Sequence, residues 1–429
     1  MSRGRVRAES ATPSQGDNGS RPEWASDVLR VTGSSRTLSQ RRSGWDGHRT
    51  IPTRSPLACV VAVAAADLPV CISPNLRVAL GSSISMSQSL HLSYEFLDLN
   101  TRHPFVIARG GASGWRTVWV RLRDSEGVEG WGEAAPNRFY GETAETVAVA
   151  LEVLRPLIES FDPFDLEGAE QAMEKALRFN ASARSAVSAA MHDLVAKRLG
   201  VPLYRLWGLN PAKAPRSSFT IGIADDETLR KRVEEAAPYP ILKVKLGTDR
   251  DRDILHIIRK AAPDKTLRVD ANAAWTPRQA VRMAEILHDY DVEFLEQPLP
   301  AQDIEGLRFV RERSPIPVVA DESCLTSRDV ARLAGVVDGV NLKLAKCGGL
   351  REALKIITTA RSHGMLVMAG CMIESSLGIG AAAHLASLLD FADLDGAALL
   401  SNDPFSGVSI DEGRIAVSDA PGIGVERRA

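Results

Sequence analysis

Apolar and polar positions alternate with a period of two in "HLSYEFLDL" (91–99) and "TVWVRLR" (117–123), which predicts antiparallel strands. "DSEGVEGWGEAAP" (124–136) extends the meander, and its glycines read as turns, with Trp131 and Glu133 in one of them. The period then lengthens. "GETAETVAVALEVLRPLI" (141–158) and the alanine-rich "SARSAVSAAMHDLVAKRLG" (182–200) predict helices, the second stopped by Gly200 and Pro202.

Beyond residue 211 short apolar runs alternate with amphipathic helical stretches. The runs are "SFTIGI", "ILKVKLG", "TLRVDAN", "VEFLEQP", "PVVADES", "GVNLKLA", "LVMAGCM" and "FADLDGA". Between them lie segments such as "TDRDRDILHIIRKAAP", with Asp or Thr at the start and Pro after the end. Strand–helix alternation of this kind signals parallel βαβ units and the α/β class. Eight units suit a closed barrel. An open doubly wound sheet is the alternative, but no GxGxxG follows the early strands.

These strands are apolar along their length, yet five stop at a charge: Lys245, Asp270, Glu296, Asp321 and Lys343. The intervals are 25, 26, 25 and 22 residues, each about one strand–helix unit. The five side chains are therefore expected at one level, the C-terminal mouth where barrel active sites lie. Three neighbouring carboxylates repel one another unless a cation sits among them. An oxygen-only donor set points to a hard divalent ion, Mg²⁺. Solvated strand-end acids or structural ion pairs are the bland reading, and the matched sign and spacing disfavour it. Lys245 and Lys343 bracket the acids. A lysine beside other cations, or desolvated, can act as a general base. In "KVK" the period-two geometry turns Lys243 to the face of Lys245, where it could lower that group's pKa or bind a substrate carboxylate. Two bases across a bound carboxylate suit proton removal on one face of an α-carbon, an enediolate, and reprotonation on the other. That is epimerisation.

The motifs "KVK", "VDANAAW", "FLEQPL", "ADES" and "NLKLAKCGG", in this order and spacing, resemble the muconate lactonizing subgroup of the enolase superfamily. The resemblance runs from about residue 90 to the end. It implies a modified TIM (β/α)7β barrel over 211–397, with an α+β capping domain at 87–210 completed by 398–429. It also implies Mg²⁺ on Asp270, Glu296 and Asp321, Lys245 and Lys343 as the acid/base pair, and Lys346 behind them. The mandelate racemase branch uses a His on the seventh strand, which "LVMAGCMIESS" lacks. On the eighth strand "FADLDG" offers Asp393 and Asp395, two apart. Dipeptide epimerases of the L-Ala-D/L-Glu type are similar, holding the substrate α-ammonium between two such carboxylates. A solvated "DLDG" turn is the bland reading of this short motif. Thr220 matches a pocket position of those enzymes. Epimerases that read an acidic side chain carry an arginine in a cap loop after a "PF" pair. In "TRHPFVIARGG" that place falls on Gly110, with Arg109 one position off, so 101–114 is expected to influence specificity.

The expectation is thus a Mg²⁺-dependent isomerase, a dipeptide epimerase or racemase, with a small dipeptide as substrate. A cycloisomerase or an o-succinylbenzoate synthase-type β-elimination enzyme would use the same lysines and metal. A non-catalytic binding relative is the reading of another class.

Composition adds limits. The 429 residues are 44% hydrophobic and 25% charged with a formal net charge of −2, which indicates neither a nucleic-acid nor a membrane partner. Five cysteines without CxxC spacing favour neither a disulfide framework nor a zinc site, and suit a reducing cytoplasm. A homo-oligomer is expected. His363 and His384 read as ordinary helix residues, and Cys324 and Cys347 lack a partnered base. Residues 1–86 differ from the rest, with eleven arginines, no lysine and no sustained apolar period, the profile of a disordered extension. Their apolar run 57–72 contains Asp67 and Pro69 and is too short to span a membrane. The functional polypeptide is expected to start near Met86.

Overall fold

The computed structural model describes residues 89–429, so the expectations for 1–86 lie outside the described residues. Strands β1 (His91–Ile107) and β2 (Gly110–Arg123) form a long antiparallel hairpin, and β3 (Glu129–Ala134) pairs with β2. The segment read as a turn around Trp131 and Glu133 is thus a strand. Its glycines have another cause. A Cβ on Gly130 would lie 1.9 Å from the Ala190 carbonyl oxygen, and one on Gly132 would lie 2.0 Å from that of Ala186. Glycine lets β3 lie directly on a helix backbone.

That helix is α3 (Ala181–Arg198), preceded by α1 (Ala144–Ile158) and α2 (Leu166–Ala176). The α2 segment "LEGAEQAMEKA" buries only Ala169, Glu170 and Met173, a pattern too thin to announce a helix in the sequence. The small side chains of α3 allow close approach on nearly every side, and its face from Ala183 to Leu194 joins Leu92, Val118, Val120, Leu122, Leu151 and Leu154 in one apolar core.

The eight apolar runs beyond residue 211 form one parallel sheet of neighbouring strands: β4 (Phe219–Ile221), β5 (Ile241–Lys245), β6 (Thr266–Asp270), β7 (Val292–Glu296), β8 (Val318–Ala320), β9 (Gly339–Leu342), β10 (Leu366–Gly370) and β11 (Phe391–Asp393). Strand order follows chain order from one end to the other, and the two ends meet through a parallel bridge between Ser217 and Ala392. This is a barrel, not an open sheet. Seven of its strands are followed by a helix, and the outward side chains of strands and helices make a second, larger core.

The chain after β11 returns to the first sheet. Phe405 packs against Trp119 at 5.3 Å between ring centroids, and Arg427 pairs with Glu95 at 3.0 Å. Cap and barrel also meet at two buried acids. Glu133 of β3 accepts from the backbone N–H of Gly378 at 3.0 Å and from the N–H and hydroxyl of Ser375. Glu374, beside that serine, accepts from the Met372 N–H at 2.7 Å. Burial, with Glu133 adding, pushes the Glu374 carboxyl up to about 7. Its folded pKa thus exceeds the unfolded value of about 4.5, so the folded chain holds the extra proton. This contribution is present below pH 4.5 and is lost as pH rises through about 7, a change on the order of 3 kcal/mol. Urea unfolding of Glu374→Gln should therefore show a smaller loss of stability between pH 5 and pH 8 than the parent protein. Equal pH dependence in both would contradict this placement.

Candidate active site

The barrel register brings the expected charges together. Lys245, Asp270 and Glu296 are direct partners across β5, β6 and β7. On β8 it is Val319 that stands opposite Glu296, so Asp321 lies two residues further along its strand. The stagger of a closed barrel brings it back to the group. One oxygen from each of Asp270, Glu296 and Asp321 lies within 4.8 Å of the others, and all three residues are buried.

The loops behind these acids are held in left-handed backbone, with φ of +45° at Asn272, +64° at Ala273 and +34° at Gln297. Contacts sustain that strain. The Gln297 amide oxygen accepts from the N–H of Asp321 at 2.9 Å and of Ser323 at 3.1 Å, while its nitrogen donates to the Leu299 carbonyl. Asn341 donates to Glu296 Oε1 at 2.7 Å. Neither Gln297 nor Asn341 stood out in the sequence, because their work is done across strands.

Lysines answer the acids. Lys245 Nζ lies 2.7 Å from Asp270 Oδ2, and Lys343 Nζ lies 2.8 Å from Asp321 Oδ2. These two lysines stand four strands apart in an eight-stranded barrel, and so face each other across the mouth. Lys346 sits behind Asp321, donating to its Oδ1 and to the carbonyls of Asn341 and Cys324. Lys243 is fully buried, with Glu296 Oε2 at 2.7 Å, Asp393 Oδ2 at 2.7 Å and Asp270 Oδ2 at 3.4 Å. An ammonium has three N–H donors, and three carboxylates face this one. Lys243 donates to Asp393 and stands against Glu296 and Asp270, so it ties the acid trio to Asp393.

The electrostatics follow from this crowding. Burial works against the charge on Asp270, but Lys245 and Lys243 outweigh it and hold the carboxyl at about 2. Burial and then Asp270 push Glu296 up to about 7. Asp321 is buried too, yet Lys343 and Lys346 keep it far below the usual carboxylate range. Burial opposes the charge of Lys343, and Asp321 more than reverses that, leaving an ammonium firmer than usual.

At the seam of the barrel, Asp393 accepts from Ser218 Oγ at 2.6 Å and Asp395 accepts from the Thr220 N–H at 2.6 Å. Both acids are buried, and neither is the solvated turn of the bland reading. Burial and the neighbouring Asp393 push Asp395 up to about 7. The β1–β2 hairpin lies over the mouth. Ile223, just beyond β4, donates to the Val106 carbonyl at 2.9 Å, and a Cβ on Gly247 would strike Ala108 at 2.7 Å. At the hairpin tip Arg109 pairs with Glu322 at 2.7 Å, donates to the Asn272 carbonyl at 2.7 Å, and stacks on Phe139. The arginine that sequence alignment left one place off thus reaches the acid next to Asp321. Cys324 and Cys347 are buried with thiols pushed up to about 12 by burial, so neither is a nucleophile. His384 is held between the Tyr204 N–H and the Ile423 carbonyl, away from these acids.

Residues 94–208 match the mandelate racemase / muconate lactonizing enzyme N-terminal domain, and residues 225–429 match the enolase C-terminal domain-like family. The L-Ala-D/L-Glu epimerase of Bacteroides thetaiotaomicron is 40% identical over 374 residues, which cover 86% of this chain and 95% of that protein. The chain belongs to the mandelate racemase / muconate lactonizing enzyme family of the enolase superfamily. Two solved members of this superfamily have closely similar structures. The dipeptide epimerase of Enterococcus faecalis, in complex with Mg and L-Leu-L-Tyr, is 34% identical with a TM-score of 0.75, covering 79% of this chain and 99% of that one. The L-Ala-D/L-Glu epimerase of Bacillus subtilis, with substrate bound, is 30% identical with a TM-score of 0.77, covering 80% and 99%.

The acid trio suits the metal of this superfamily. Its donors are all oxygen, they converge within one ion's reach, and Glu296 Oε2 lacks an aligned hydrogen bond although Lys243 is near. Asp270→Asn should abolish saturable Mg²⁺ binding in calorimetry while circular dichroism stays that of the parent. Binding at unchanged affinity would contradict the assignment.

Proposed function

We propose that the protein is a Mg²⁺-dependent dipeptide epimerase that inverts the α-carbon next to the substrate carboxylate. The observation that carries this reading is the placement of Lys245 and Lys343 four strands apart, each against an acid of the same cluster. A planar carbanion formed between them can lose its proton to one side and regain one from the other. Asp270, Glu296 and Asp321 would hold the ion. When bound, the ion supplies positive charge to the substrate carboxylate as the α-proton leaves.

One lysine takes the α-proton while the other, as an ammonium, donates to the opposite face; microscopic reversibility exchanges the two parts in the other direction. Asp393 and Asp395 would receive the α-ammonium of the first residue, because two buried carboxylates at one level favour a cation with N–H donors. Thr220 fixes Asp395 through its backbone N–H, and Lys243 orients Asp393. The division of labour follows: 211–397 carries the chemistry, while 87–210 with 398–429 covers the mouth and excludes water through the β1–β2 hairpin. The activities of the relatives named above agree with this reading. A cycloisomerase or β-eliminating enzyme would share the lysines and the metal, but its substrate gives the buried Asp393–Asp395 pair no amine to hold. A non-catalytic relative gives no reason to keep both lysines against the acids.

Incubating dipeptides with enzyme and Mg²⁺ in deuterated water tests the reading by mass detection. The parent should place one deuteron on the α-carbon of either stereoisomer. Lys245→Met and Lys343→Met should each lower epimerisation by at least about 10²–10⁴-fold. Each variant should still exchange only one stereoisomer, and the two variants should differ in which. Exchange of both stereoisomers in a single-lysine variant, or of no dipeptide by the parent, would overturn the assignment.

A further inference from the structure

Between β3 and α1 the chain makes one short helical turn, Arg138–Tyr140, and three contacts pin it. Asn137 Oδ1 accepts from the Phe139 N–H at 2.9 Å, and Asn137 Nδ2 reaches Met372 Sδ, just after β10, at 3.6 Å. Gly141 closes the turn in left-handed backbone, with φ of +77°. Phe139 lies under the Arg109 guanidinium at 4.3 Å, and that guanidinium holds Glu322 and the Asn272 carbonyl. The turn is thus fixed beside the ends of β6, β8 and β10, on the cap side of the acid trio.

Tyr140 is the residue this turn presents to the acids. Its ring is half-buried yet belongs to neither apolar core, and its aromatic neighbour is Phe139, edge-on at 5.1 Å. The charges that act on its phenol are those of Asp321, Glu322 and Asp270, opposed by Arg109. With burial they raise the phenol far above its usual range, so the hydroxyl keeps its proton and remains a donor. Among the described residues no carboxylate stands close enough to accept that proton. An enclosed donor that faces acids without reaching them is unfavourable unless an acceptor fills the gap.

The other walls of the mouth decide which part of a substrate comes there. Lys245 on β5 and Lys343 on β9 take the two faces of the α-carbon. The ammonium goes to Asp393 and Asp395 at the end of β11, four strands from Glu296 on β7. The carboxylate takes the side of Asp270, Glu296 and Asp321, and Tyr140 stands over it from the cap. As the α-proton leaves, negative charge moves from the carbon onto the carboxylate oxygens, where a donor already in place stabilises it most. We infer that the Tyr140 hydroxyl donates to the substrate carboxylate and stabilises the enediolate, as a catalytic residue and not as a wall for a side chain. The inference rests on the epimerase reading above and adds a donor to the same site.

Tyr140→Phe removes the hydroxyl and keeps the ring. The full chain with Mg²⁺ in deuterated water is followed by α-deuteration of dipeptides that share a first residue and differ in the second. The variant's kcat should fall about 10²-fold with KM nearly unchanged, by the same factor for every second residue and for both stereoisomers. Its Mg²⁺ affinity in calorimetry should stay that of the parent. Placing 3,5-difluorotyrosine at position 140, a stronger donor of nearly the same size, should give activity at or above the parent's. An unchanged kcat in Tyr140→Phe, or a loss confined to some second residues, overturns the inference while the epimerase reading stands. So does a Mg²⁺ affinity that falls with kcat, or a difluorotyrosine protein as impaired as the Phe variant. Absence of exchange by the parent with every dipeptide overturns the epimerase reading and this donor with it.

Discussion

Charge crowded into a buried barrel mouth is the constraint from which the rest of the structure follows. Three carboxylates lie within 4.8 Å of one another, out of water, where repulsion is felt at far less than aqueous screening. The chain answers with ammonium groups on every side: Lys243, Lys245, Lys343 and Lys346. Asp270 and Asp321 each meet two of these ammonium groups, so neither charge depends on a single pair. The left-handed turns at Asn272 and Gln297, the amide of Asn341 and the N–H groups that meet Gln297 are the scaffolding of this cluster. The same four lysines that balance the acids include the two that can move a proton. Stability of the resting mouth and reactivity of the loaded mouth are thus two uses of one charge arrangement.

The cap and the barrel seam shape what may enter. Strands β4 and β11 meet through a single bridge near Ser217, and beyond it the seam carries Asp393, Asp395 and Thr220. The β1–β2 hairpin reaches over from the cap, with Val106, Ala108 and Arg109 touching the ends of four different strand–loop units. Arg109 binds Glu322, the residue after one acid of the trio, and the carbonyl of Asn272, two residues after another. Cover and acid cluster are mechanically joined. Glu133, accepting from Ser375 and Gly378, fastens the opposite side of the cap to the segment after β10.

Much of this was legible in the order of residues, and the reason is physical. A βαβ unit has a nearly constant length, so charges at successive strand ends report their shared level even without coordinates. That is how Lys245, Asp270, Glu296, Asp321 and Lys343 stood out. The finer register was not legible, since the two-residue advance of Asp321 depends on barrel stagger. Contacts between distant segments were also silent, including Arg109 with Glu322 and Glu133 with Ser375. Glu133 was assigned to a turn because Gly130 and Gly132 flank Trp131, yet those glycines serve a close approach to α3 that only the fold reveals. Lys243 was expected to act on Lys245 or on substrate. Its neighbours Glu296 and Asp393 come from strands that only the closed barrel brings together.

The central claim is geometric: an amine stands on either side of the carbon held against the acid trio. A crystal structure of the protein with Mg²⁺ and an unreacted dipeptide tests it most directly. The account expects Lys245 Nζ and Lys343 Nζ on opposite faces of the α-carbon beside the carboxylate, each within about 3–3.5 Å. Finding both amines on one face of that carbon, or the carboxylate bound away from Asp270, Glu296 and Asp321, would contradict it.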